Sequence, residues 1–191
     1  MTDMKMNPIL FSTIMVQAIL EGRKTQTRRV CKPLCVEQTG KDFESRVDYD
    51  RLENVLKAGY VPAYTVGDIL WVRETWQDIC ACPLQYAYRA DGESVELSGL
   101  WKPSIFMPKV AARIFLKVID VRVERLQSIT YGDCCAEGVF NNEDMINASY
   151  GQEATEKWRN LWNSINEKRG YGWDTNPFVW VYEFERIDTN G

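Results

Sequence analysis

The clearest periodicity in this chain of 191 residues lies between Gly151 and Lys168. Ala154, Trp158, Leu161, Trp162 and Ile165 recur at steps of three and four, which lays one apolar stripe along a helix. Glu153 and Lys157 stand one turn apart, where opposite charges pair. A Gly-punctuated loop, Arg169 to Pro177, follows, and Phe178 to Ile187 then alternates as a strand. Phe178, Trp180, Tyr182 and Phe184 take one face and Val179 and Val181 the other, so its first half is buried on both sides. Ile69 to Trp76, after the turn Val66-Gly67-Asp68, reads as a second strand, apolar on both faces at its start and polar by Arg73 and Glu74. That pattern fits a strand running from a core towards a cleft.

Weaker signals fill in the rest. Residues 8 to 12 read as a short strand, and Ser12 or Thr13 can cap a helix that runs to about Leu20 and stops at Gly22. Thr27 to Val30 is extended. Gln85 to Ala90 forms a strand ending in the turn Asp91-Gly92, and the prolines of Trp101 to Pro108 fix an extended loop. Arg113 to Val123 alternates with a change of parity, which predicts a bulge near Ile119. Thr130 and Asp133 form an acidic capping box on a short helix that ends at Gly138. An Asn-rich loop spans 139 to 150. Between about 33 and 63 the chain has few large apolar residues, with one or two helical turns at Arg51 to Ala58, and it reads as an insertion with no core of its own. The order β-α-β-(insertion)-β-β-β-α-α-β, with few crossover helices, predicts an α+β fold: a twisted sheet or small barrel with helices packed outside.

Composition narrows the chemistry. Hydrophobic residues make up 45% of the chain, enough for one core, and a net charge of −4 argues against non-specific coating of nucleic acid while allowing a local basic cleft. There is no histidine. Ser-His-Asp and Cys-His catalysis and His-ligated metals are therefore excluded, and any acid or base must be Glu, Asp, Lys, Tyr or Cys. The six cysteines, at 31, 35, 80, 82, 134 and 135, include no C-x-x-C pair, so no metal site is expected and no cofactor is implied. The N-terminal residues do not read as a signal peptide, and no stretch reaches the ~20 apolar residues of a membrane span. A cytoplasmic protein with free thiols and no membrane partner is the expectation.

Against the acidic background, Gly22 to Arg29 (GRKTQTRR) holds four basic residues in eight positions. Lys24 and Thr27 place an amine and a hydroxyl close together, suited to binding phosphate or to nucleophilic chemistry. The plainer alternative is a solvated helix C-terminus facing the dipole. Glu137 ends the short helix, where the dipole disfavours a carboxylate, and so stands out as a possible acid or base.

Several stretches together carry a resemblance: GRKTQTRR, VGDILWVRETW, MPKVAARIFLKVIDVRVERLQSIT, Ala136 to Gly138 (AEG), and RGYGWDTNPFVWVYEFERI. The chain resembles the ASCH-domain proteins of the PUA-like superfamily, and within them a phage- and prophage-encoded branch often labelled morphogenetic. The resemblance implies one ASCH domain over 1–191, a small PUA-like β-barrel with flanking helices, an insertion at about 33–63, and a helix–strand unit at about 151–187. It implies a cleft for a modified nucleoside or RNA, in a bacterial or phage-infected cell. A small branch of the family removes the acetyl group of N4-acetylcytidine with a Lys, a Thr and a Glu. By motif these fall on Lys24, Thr27 and Glu137. Arg23, Arg28, Arg29, Arg73, Glu74 and Trp76 are then candidates for holding phosphate or base, and Trp71, Trp101 and Trp173 for stacking. A non-catalytic RNA-binding module is the alternative, and a metal-independent ribonuclease the third.

Overall fold

A computed structural model describes residues 6–32, 59–81, 84–92, 100–140 and 152–188. Its regular elements are β1 (Met6–Leu10), α1 (Thr13–Leu20), β2 (Gln26–Val30), β3 (Ile69–Arg73), β4 (Trp76–Ala81), β5 (Leu84–Tyr88), β6 (Phe115–Arg125), α2 (Tyr131–Ala136), α3 (Gln152–Asn166) and β7 (Phe178–Ile187). Most of the 33–63 insertion, with its expected helical turns at Arg51 to Ala58, lies outside the described residues, as does most of the 139–150 loop. No helix among the described residues is long and apolar enough to cross a membrane.

The fold is α+β. Five strands form one sheet in the order β1-β3-β6-β7-β2, and β4 and β5 pair as a separate antiparallel ribbon. Among the described strands only β1 and β3 pair in parallel. The hydrogen-bonded ladder does not close, but its two edges are tied: Arg29 on β2 donates from Nη2 to the carbonyl of Leu10 on β1 at 2.9 Å. The expected bulge is present, as a register shift between Val118 and Asp120 where β6 pairs with β7. It turns Ile119 outward while Leu116 and Val118 stay buried.

β7 divides the interior. Trp180, Tyr182 and Phe184 pack with Ile9, Phe11, Val16 and Ile19 on the α1 side. Val179 and Val181 face the other way, onto Ala154, Trp158 and Trp162 of α3 and onto Leu126, Ile129 and Cys134. The stripe on α3 thus meets the sheet as its spacing requires, and Glu153 and Lys157 pair at 3.8 Å.

Two expectations need correction. Ile69 to Trp76 is not one strand. β3 ends at Arg73, and Trp76 begins the ribbon. The break falls at Glu74, whose side chain is buried and gripped at two points by Arg113, at 2.9 and 3.0 Å. The alternation survives the break, with Leu70, Val72, Glu74 and Trp76 all buried. Ser12 occupies the N-cap of α1 but makes no side-chain capping bond. The capping box of α2, by contrast, forms in full between Thr130 and Asp133.

Candidate functional site

The basic stretch begins where α1 stops. Gly22 takes φ +75°, a left-handed turn that suits a residue without a β-carbon. The N–H groups of Arg23 and Lys24 then both donate back to the carbonyl of Ala18, at 2.9 and 3.0 Å. This folds Lys24 against the end of α2, where its backbone forms an isolated antiparallel bridge with Glu137. Neighbouring bonds lock the arrangement: Thr25 N–H to Ala136 O at 2.8 Å, and Phe184 N–H to Thr25 O at 2.9 Å. Gly138 makes the approach possible, since a β-carbon there would stand 2.7 Å from Ala18 Cβ and 2.9 Å from Lys24 Cβ. The Ala-Glu-Gly sequence therefore has a mechanical reason: the Glu reaches the Lys because the next residue has no side chain.

Lys24 Nζ meets Glu137 Oε2 at 2.8 Å, with the two side chains 0% and 1% exposed. The ammonium also donates to Gln26 O at 2.7 Å and Glu137 O at 2.9 Å, so all three of its hydrogens have acceptors. Burial pushes Lys24 below its ordinary pKa, and the charges of Arg29 and Arg28 add to that push, while Glu137 opposes it. The second oxygen of Glu137 takes Arg28 Nη1 at 3.2 Å. Direct contact with two cations, more than the helix dipole, defines the surroundings of this carboxylate. Arg28 is buried and reaches two further carboxylates, Glu124 at 3.1 Å and Asp133 at 3.4 Å.

A cleft of about 190 Å³ opens beside this pair. Thr27, Arg28, Arg29 and Lys32 line one side, Trp158, Trp162, Asn166, Arg169 and Tyr171 the other, and Glu137 also contributes. The volume is below the roughly 300–1,000 Å³ of drug-sized ligand sites, so the cleft suits a single ring with its larger body left outside. Lys24 does not line this cleft; it lines a second concavity of about 390 Å³ with Thr25 but with neither Thr27 nor Glu137, so the three candidate residues share neither.

The remaining candidates divide. Arg29 lines the cleft, with its guanidinium 5.5 Å from the Phe11 ring centroid, and Lys24 Nζ lies 5.4 Å from the same ring. Arg23 turns away, donating to Glu21 at 2.6 Å and to the carbonyls of Gly138 and Phe140, and does not line the cleft. Arg73, Glu74 and Trp76 do not line the cleft. Arg73 lies over Trp71, 5.5 Å from its ring centroid, and donates to Ile105 O. Burial pushes the Glu74 carboxyl up and its grip on Arg113 opposes this. Trp76 is a core residue with Met107 and Ala111. Trp71, Trp101 and Trp173 are likewise absent from the cleft. The aromatic wall consists instead of Trp158, Trp162 and Tyr171. The helix stripe reads as core and the Gly-punctuated loop carries no binding signal at Tyr171; Trp158 and Trp162 serve as both core and wall. Among the described residues no group of three or more Cys, Asp or Glu is placed to hold a metal ion.

No protein-family model matches the chain, and no curated protein matches it. Among solved structures, the chain is similar to the crystal structure of an ASCH domain from Lactobacillus crispatus JV V101, with 10% identity and a TM-score of 0.46, over 95% of this chain and 79% of that one. That overlap is too loose to carry residues across.

Proposed function

We propose that the cleft receives the base of a modified pyrimidine nucleoside, free or within RNA, and that Lys24, Thr27 and Glu137 hydrolyse an acyl group from its exocyclic N4. The observation that carries this reading is the 2.8 Å contact of Lys24 with Glu137, and a base-sized cleft that Glu137 and Thr27, though not Lys24, line. The ASCH-like motifs noted above support it independently.

The bonding of Lys24 favours one division of labour. A neutral Lys24 acting as base would have to give up one of three hydrogen bonds. Glu137 is the better proton acceptor, with Lys24 holding it in place. A water held by Thr27 Oγ attacks the acyl carbon and passes a proton to Glu137. The C–N bond then breaks, and Glu137 returns that proton to N4, releasing the carboxylic acid and the free amino base. In this reading the aromatic residues hold the ring, and Arg29, Lys32 and Arg169, which also line the cleft, meet any phosphate.

The test is release of cytidine from N4-acetylcytidine and related N4-acylated pyrimidines, followed by chromatography. Glu137→Gln should lower the rate by about 10²–10⁴-fold, the usual contribution of a general base. Turnover that survives both Lys24→Ala and Glu137→Ala would sink the assignment.

The full engagement of Lys24 and of both Glu137 oxygens favours a second reading, in which the pair is purely structural and the cleft binds RNA without reaction. It predicts no turnover and an RNA affinity that falls steeply between two salt concentrations in filter binding.

A further inference from the structure

The proline-bearing loop before β6 is pinned from within and apolar outside. Met107 and Ala111 are buried with Trp76. Lys102 and Trp76 exchange two backbone hydrogen bonds, at 2.8 and 3.2 Å. Arg73 donates to the carbonyl of Ile105, and the Tyr88 hydroxyl donates to that of Ala111 at 2.8 Å. Two tight turns complete the loop, closed by Phe106 N–H to Pro103 O and Ala111 N–H to Pro108 O, each at 3.0 Å. On this frame Ile105, Phe106 and Val110 stand 56%, 70% and 70% exposed, and Leu100 92%. Single exposed apolar side chains are ordinary on a protein surface. Four within eleven positions of one pinned loop are a concentration of the kind that marks an interaction surface. A surface already held in one shape also loses little freedom on docking.

The charges around the loop say what covers it. From Leu100 to Ile119 the chain carries no Asp or Glu, although 27 of its 191 residues are acidic. Lys102 is neutralised by Asp78, and Arg113 by Glu74 and Asp91. Lys109, next to Val110, and Arg73, bonded to Ile105, have no carboxylate within ion-pair reach among the described residues. The patch is therefore apolar with a positive border, and its complement carries apolar side chains beside carboxylates. Two cations fall short of the about four to eight basic residues that anionic membranes recruit, and the chain as a whole has a net charge of −4. A nucleic acid would find a ring to stack on only at Phe106 among the four exposed side chains. A second copy docked through the same patch about a two-fold axis would set Lys109 and Arg73 against like charges.

We infer that this loop docks another protein, which presents a segment of large apolar side chains flanked by Asp or Glu, with Phe106 as the anchor. None of these residues lines the cleft, so docking here is independent of what the cleft does.

The experiment pans a phage-displayed library of random peptides of about twelve residues against the intact chain, and measures the enriched sequences as synthetic peptides by fluorescence anisotropy. The enriched peptides should combine two or more large apolar residues with neighbouring Asp or Glu. Phe106→Asp should weaken them more than about tenfold, as removal of a central anchor does. Lys109→Glu should weaken them about five- to tenfold, and added salt should weaken them on the unaltered chain. Both side chains are exposed, and unchanged thermal melts of the two variants establish that the fold is intact. No enrichment, or binding indifferent to Phe106→Asp, overturns the inference. Enriched peptides without carboxylates, or indifferent to Lys109→Glu, overturn the acidic character given to the partner. Three further results on the unaltered chain would assign the patch to another occupant and also overturn it, if each is lost in Phe106→Asp: sedimentation with phosphatidylserine vesicles, retention of a single-stranded oligonucleotide, or a concentration-dependent dimer.

Discussion

Lys24 and Glu137 are held together twice, once by a backbone bridge and once by a side-chain ion pair at 2.8 Å. The backbone contact fixes where both residues lie whatever their side chains do. The ion pair then depends on that backbone for its burial, and each carboxylate oxygen has a cation of its own.

Removing both partners should therefore cost less than the sum of removing each alone. Lys24→Met leaves Glu137 buried with Arg28 alone and should destabilise the chain by about 3–5 kcal/mol in urea unfolding. Lys24→Met with Glu137→Met should lose less than the sum of the two single changes, by about 1–3 kcal/mol. Strict additivity would show that the pair is not coupled.

Gly22 and Gly138 have nearly the same backbone angle, φ +75° and +74°, but different surroundings. A β-carbon at Gly22 meets nothing within 4 Å, whereas at Gly138 it strikes Ala18 and Lys24. Gly22→Ala should cost about 1–2 kcal/mol for the left-handed conformation alone. Gly138→Ala adds overpacking, about 1–3 kcal/mol more, and should separate the Lys24 bridge as well. Thermal melts of the two variants give the comparison directly.

Acid should loosen the α2 end of the site. Burial alone would raise the Asp133 carboxyl, but the N–H and hydroxyl of Thr130, with Arg28 and Gln26, bring it down to about 2. A carboxyl lowered on folding stabilises above its unfolded pKa and ceases to do so as pH falls through the folded one. The window is therefore from about pH 4 down to 2, and the contribution at neutral pH is on the order of 2 kcal/mol. Asp133→Asn should be less stable than the natural chain at pH 7 and lose less of its stability between pH 5 and 2. An identical acid limb in both proteins would contradict this.

Alkali should act through Tyr182. Burial pushes its hydroxyl up to about 12, and the oxygen accepts the N–H of Ala63 at 3.0 Å. A raised tyrosine pKa contributes stability that is present below pH 10 and is lost as pH climbs from there towards 12. Tyr182→Phe should cost about 1 kcal/mol at pH 7, the value of one hydrogen bond. It should also blunt the alkaline loss, read from urea midpoints at pH 8 and 11.

What the sequence disclosed depended on the range of the interactions involved. Thr130 and Asp133 form their box from residues three apart, and Gly22 ends α1 by its own backbone freedom, so both were legible. The double-sided burial of β7 followed from alternation alone. The break between β3 and β4 was not legible, because Arg113, which grips Glu74, lies 39 residues further on. Nor could spacing show that Arg28 is ringed by Glu124, Asp133 and Glu137. As part of a basic run it read as free to bind phosphate, although tertiary packing surrounds it with carboxylates. The cleft's aromatic wall was hidden for another reason: a tryptophan that serves the core and a ligand has the same helical spacing as one that serves the core alone.

The place of β7 between β6 and β2 also has a kinetic side. β2 carries Thr27, Arg28 and Arg29, and its sheet partner is β7, so the ladder pairs Val30 with Val179 across most of the chain. Such distant pairing is slow, since a long loop must close before any contact rewards it. The cleft is thus expected to form late in folding, once β7 offers β2 an edge to pair with. In pulse-labelled hydrogen exchange, the amides of β2 should gain protection no earlier than those of β7.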